Sequence, residues 1–179
     1  YFFSKYNLKI FYAKKIPTHG GSIRVYASRN VNYKIKNSVR KILNEEKKYI
    51  NLSNFKKFKI QTVNSKLKLT KILNDIKSKN KTIYGVSAPS RASTLINYVG
   101  IDENIIDCVL EISGSKKIGK YIPGTQIPIL NEKILYTKQP DYVLIFSWHI
   151  FDEIKKNLKK KGYKGKFIVP LPLPKIVKF

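Results

Sequence analysis

From Thr82 onward, short apolar runs alternate with longer amphipathic stretches, and this alternation limits the possible folds more than any other feature of the chain. The runs are Thr82–Val86, Ile105–Leu110, Tyr142–Phe146 and Phe167–Val169, with candidate helices at about 92–99, 131–137 and 150–161. Short continuous apolar strands separated by helices predict a parallel sheet buried on both faces, with right-handed crossovers. The expected fold class is α/β: a small Rossmann-like parallel sheet with helices on both faces, over residues 82–179. The run Pro170–Lys175, PLPLPK, reads as a stiff tail.

Upstream the pattern differs. Residues 8–16 and 22–27 read as two strands around Pro17-Thr18-His19-Gly20-Gly21. Two strands alone are marginal, so the hairpin is expected to complete a sheet encoded upstream. The chain opens on Tyr1 rather than Met, which fits a longer protein. Ile35, Val39, Ile42, Leu43 and Ile50 keep helical spacing and predict a helix over about 35–50. Leu67, Leu69, Ile72, Leu73 and Ile76 predict a second over about 64–79, with a loop or an extension of the first helix between them. The expected organisation is a hairpin over 1–30, a helical linker over 31–81 and the α/β domain over 82–179.

The formal net charge of +25 raises the question of nucleic acid. The basic side is 32 Lys against 4 Arg, whereas base and phosphate readout draws on the bidentate guanidinium. Lys, Asn and Ile abound together, as an AT-rich coding sequence would produce. Residues 1–81 carry 21 basic and 3 acidic groups, against 15 and 8 in residues 82–179. The excess therefore lies mainly outside the candidate α/β domain, and nucleic acid is not the expected partner. No apolar run is long enough to span a membrane. The single Cys108 excludes an internal disulfide framework, and the expected setting is cytoplasmic.

In an open parallel sheet, ligands bind beyond the carboxyl ends of the strands. That rule selects three segments. Gly85 to Thr94 follows the first strand; Ser87, Ser90, Arg91, Ser93 and Thr94, with the free amides of a helix start, suit an anion such as phosphate. It is neither a GxGxxG nor a GxxxxGK[ST] loop, so no dinucleotide or NTP is indicated. Gly119 to Thr125 follows the second strand and offers Lys120 and Tyr121. Ser147-Trp148-His149 follows the third; the Trp148 ring could stack on a base or sugar or cap the sheet as a core aromatic, and His149 could cap or pack at a helix start. His19 lies in the glycine turn, beside Gly20 and Gly21. The two histidines and one cysteine form neither a metal site nor a triad.

Five ordered blocks then carry a resemblance: Thr18-His19-Gly20-Gly21-Ser22-Ile23-Arg24-Val25, YGVSAPSRASTLINYVG (84–100), KIGKYIPGTQIPIL (117–130), PDYVLIFSWHI (140–150) and GKFIVPLP (165–172). Together they resemble the C-terminal region of the class I S-adenosylmethionine-dependent sugar C-methyltransferases. The resemblance implies an N-terminal Cys-rich zinc module, a central donor-binding domain and a C-terminal Rossmann-like domain. It also implies methylation of a sugar carbon beside a keto group on a nucleoside-diphosphate sugar, through an enolate that attacks the methyl sulfonium. The zinc cysteines and the glycine-rich donor loop have no counterpart in this sequence, and the family's His-rich catalytic stretch is expected upstream of Tyr1. Residues 1–28 would then be the last strands of the donor domain, with His19–Ser22 facing the substrate cleft and His19 either orienting the sugar or serving as a turn residue. Gly20, Gly21, Ser87, Ser90, Arg91, Ser93, Thr94, Lys120, Tyr121, Trp148 and His149 would bind substrate. The chain alone is expected to be inactive. Two alternatives stay open: a non-catalytic Rossmann-like nucleotide-binding module, and a basic nucleic-acid-binding protein.

Overall fold

The computed structural model describes residues 1–29 and 32–178, in two compact units, Tyr1–Ile60 and Gln61–Phe179. The first unit opens with a helical turn α1, Phe2–Lys5, followed by the antiparallel strands β1, Lys9–Ile16, and β2, Ser22–Ser28. A 3-10 turn over Thr18–Gly20 joins the strands, and His19 adopts φ 56° within it. Helix α2, Asn37–Tyr49, packs on β1, and Lys15 pairs with Glu45 between them. Phe11 stacks on Tyr33 at 4.5 Å between ring centroids.

Helix α3 runs Leu52–Lys77, so residues expected to form a loop or to extend α2 instead begin the second helix. The core-facing residues of α3, Leu69, Leu73 and Ile76, all lie in its second half. The first half leaves Leu52, Phe55 and Phe58 exposed, which is why apolar spacing did not mark it. The division between the two units falls inside this helix.

The remaining elements are β3 (Ile83–Val86), α4 (Ser90–Val99), β4 (Cys108–Glu111), β5 (Ile129–Asn131), α5 (Lys133–Lys138), β6 (Tyr142–Ile145), α6 (Phe151–Lys160), β7 (Lys166–Val169) and β8 (Lys175–Val177). They form a six-stranded sheet in the order β5-β4-β3-β6-β7-β8, parallel except for β8. The expected α/β class and the mostly parallel sheet are observed. Three details differ from expectation. Strand β5 precedes the helix expected at 131–137, Ile105–Asp107 fall before β4, and the last residue of the run expected to be a stiff tail, Lys175, opens β8, Lys175–Val177, which pairs with β7.

Alternation along each strand sends residues to opposite faces. Ile83, Val109 and Leu144 meet α3 and α4 on one face. Cys108, Leu110, Val143 and Ile145 meet α5 and α6 on the other. Each fully buried Leu or Ile contributes roughly 1.5–3 kcal/mol, whereas an exposed ion pair gives at most about 1 kcal/mol. The core, not the charge, holds this unit together.

The starts of β3 and β6 are locked to each other. Asp141 Oδ2 accepts hydrogen bonds from the Thr82 amide and hydroxyl at 3.0 Å each, and the Asp141 amide donates back to Thr82 Oγ1 at 3.0 Å. The Thr82 amide, with Lys81 nearby, holds the Asp141 carboxyl below the usual carboxylate range. A depressed pKa adds stability that is present above the ordinary aspartate value of about 3.9 and is lost as pH falls through the native one. Asp141→Ala removes the carboxylate's hydrogen bonds from a side chain that is 35% exposed, so screening limits the expected cost to at most about 1 kcal/mol at neutral pH. In paired urea titrations the gap to the parent chain should close with acidification.

Candidate functional site

The strand order places the reversal of connectivity between β3 and β6. From β3 the chain winds through β4 to β5, and from β6 it winds the other way through β7 to β8. Loops leaving the two strands at such a switch point diverge and open a crevice at their carboxyl ends. Ser87–Arg91 leave β3 there, and Ser147–His149 leave β6.

The structure joins these two segments. Arg91 lies over the Trp148 ring, 5.5 Å from guanidinium carbon to ring centroid, and its Nη1 is 3.3 Å from His149 Nδ1. A guanidinium only donates, so within this contact Nδ1 is the acceptor. Arg91, Trp148 and His149 are all half-buried. Trp148 and His149 sit in a 3-10 turn, Trp148–Ile150, and with Phe151, Asp152, Leu171 and Lys175 they border a cavity of about 690 Å³.

Helix α4 starts on the β3 side of the switch point, and the cavity is bordered by the β6–α6 and β7–β8 segments instead. Pro89 precedes it with extended backbone, no side chain caps it, and its first turn carries no acid. The Ser90 and Arg91 amides come before the first intrahelical bond, and the helix dipole adds positive potential there. By contrast the first turn of α6 carries Asp152 and Glu153, which oppose an anion. The positive end of the crevice is at α4. Ser90 and Thr94 are exposed and Ser93 is half-buried on this helix.

The family is decided at this point by comparison with known proteins. The model of the C-methyltransferase C-terminal domain matches residues 17–172. The chain belongs to that family. It is also similar to the C-methyltransferase NovU of Streptomyces niveus, with 27% identity over 179 residues. That alignment covers 98% of this chain and 42% of the relative, so the chain spans less than half the length of the curated relative it matches.

Not every residue named from sequence joins the crevice of this C-methyltransferase C-terminal domain. Lys120 and Tyr121 are exposed in the β4–β5 loop. The loop is instead anchored by Asn97 of α4, whose amide donates to Pro123 O at 2.9 Å. His19, Gly20 and Gly21 belong to the Tyr1–Ile60 unit, where all three are exposed. Cys108 faces the core, and burial pushes its thiol up to about 12, leaving no thiolate for nucleophilic work. Among the described residues no group of three or more His, Cys, Asp or Glu could hold a metal ion, and no helix is long and apolar enough to cross a membrane.

Two contacting residues escaped the sequence reading. Glu111 ends β4 and Lys117 lies in the loop beyond it, and both reach the turn after β3. The one available signal was an acid at a strand end some twenty residues after the turn, a spacing known from nucleotide-binding sheets.

Proposed function

We propose that this C-methyltransferase C-terminal domain holds the diphosphate of a nucleoside-diphosphate sugar at the β3–α4 turn, within an enzyme that methylates a carbon of that sugar. The observation that carries this is the placement of Arg91. It stands at the switch point beside the open N-terminus of α4 and against Trp148, where a cation, free amides and an aromatic face converge. A diphosphate takes charge-assisted hydrogen bonds from a guanidinium and from helix amides. The base or sugar attached to it can stack on Trp148 and enter the adjoining cavity, whose about 690 Å³ is within the range of small-molecule sites.

S-adenosylmethionine would supply the methyl group as a sulfonium. The crevice does not suit it. The acid at the end of β4, where a sheet of this order commonly binds an adenosine ribose, already accepts the Ala88 amide and faces Lys117. We therefore assign the donor to sequence outside these 179 residues, and the setting to the cytoplasm.

Calorimetry on the purified chain tests both halves. Uridine diphosphate or thymidine diphosphate should bind weakly, and S-adenosylmethionine should give no heat of binding. Submicromolar affinity for S-adenosylmethionine would overturn the placement of the donor, and silence with both diphosphates would overturn the placement of the substrate.

A further inference from the structure

Ser87 holds a left-handed backbone, φ 69°, which is uncommon for any residue but glycine and needs compensation from its surroundings. That compensation is on the neighbouring strand and loop. The Ser87 amide donates to Leu110 O at 2.9 Å, and the next amide, Ala88, donates to Glu111 Oε1 at 2.7 Å. Lys117 Nζ donates to the Ala88 carbonyl at 2.5 Å and lies 3.8 Å from the same Glu111 oxygen. Both backbone polar groups of Ala88 are thus taken by an oppositely charged pair. The Glu111 side chain is only 14% exposed, so water competes poorly for its bond to the Ala88 amide, while Lys117, 49% exposed, adds the more solvated half of the clamp.

We infer that Glu111 and Lys117 are positioning residues for the diphosphate turn, an inference that rests on the function proposed above. Rotating either peptide that flanks Ala88 would break one of the charge-assisted bonds. Pro89, with its fixed φ, passes the resulting orientation on to Ser90 and Arg91. The clamp therefore sets where the first amides of α4 and the Arg91 stem point before any ligand arrives, without touching the ligand. It also redirects an acid from ribose binding to backbone holding, which favours a ligand gripped by its phosphates over a dinucleotide gripped by its adenosine ribose.

Two measurements on the full chain test this. In calorimetry with uridine diphosphate, Glu111→Ala should weaken binding by about tenfold. Glu111→Gln keeps a carbonyl oxygen for the Ala88 amide and should return affinity to within about threefold of the parent. Lys117→Met should also weaken binding. In hydrogen exchange without ligand, Glu111→Ala should speed exchange at the bonded amides of Ser87, Ala88 and Ala92 while Val109 and Leu144 stay protected, a pattern that general loss of structure would not give. Unchanged exchange at the turn, or parental affinity in Glu111→Ala, would overturn the inference. Failure of the parent chain to bind either uridine diphosphate or thymidine diphosphate would instead sink the diphosphate assignment, and the exchange comparison would still decide whether the clamp orders the turn.

Discussion

Replacing Gly85 with valine should unfold the Gln61–Phe179 unit or bring it close to unfolding. Gly85 lies in β3, between Val109 of β4 and Leu144 of β6. A Cβ there would stand 2.6 Å from Phe146 Cε2 and 2.8 Å from Val109 Cγ2. Both neighbours are fully buried, and the Phe146 ring fills the space that the glycine leaves empty. A rigid ring in a packed core cannot shift without displacing others. Overpacking by a single methyl usually costs about 1–3 kcal/mol, and the two branches of valine should take the loss to the top of that range or beyond. Against a total stability of typically 5–15 kcal/mol, that is decisive. Urea denaturation followed by tryptophan fluorescence would measure it, since Trp148 packs beside this core. Gly85→Ala should lose less, and adding Phe146→Leu to it should restore part of the deficit. An unchanged midpoint in Gly85→Ala would show that the ring has room to move.

The second large effect concerns binding. Arg91→Ala should weaken nucleoside-diphosphate affinity by about 1–3 kcal/mol, or roughly 5- to 150-fold, the scale of a charge-assisted contact in a partly dry site. Its cost in stability should be small, because Arg91 is half-buried and lies at the crevice rather than in the core. Arg91→Lys should recover only part of the affinity, since an ammonium lacks the planar fork that both stacks on Trp148 and pairs with phosphate oxygens. Raising the salt concentration should narrow the difference between the parent chain and Arg91→Ala. Equal affinity in the two would remove Arg91 from the site.

Much of the domain could be read from local pattern. Strands β3, β6 and β7 are apolar because both of their faces are covered, and that signal is written in consecutive residues. The rule that ligands gather at carboxyl ends of parallel strands picked out Arg91 and Trp148 separately, and the structure brings them together. What stayed hidden was non-local. Strand β5 is three residues long and pairs with β4 some twenty positions away, so no periodicity announces it. Strand β8 begins just after a proline-rich run and exists only because β7 offers it an edge. The Glu111 clamp joins residues 23 apart in sequence, and the Lys117 bond spans 29. Such pairs are set by the fold's geometry; only the acid's distance from the turn hinted at the first, and nothing in spacing announced the second. The charge could be counted correctly from sequence, yet it decides little, because the folded unit rests on its apolar faces.

The lock between Thr82 and Asp141 has a consequence for how freely the gene can drift. It pins the starts of β3 and β6, while the turn carrying Arg91 and the turn carrying Trp148 leave the far ends of the same two strands. The pair behaves as a ruler clamped at its zero mark. A one-residue insertion within β3 or β6 would slide one end against the other and exchange inward for outward side chains, so the length of each strand fixes how far its turn stands from the clamp.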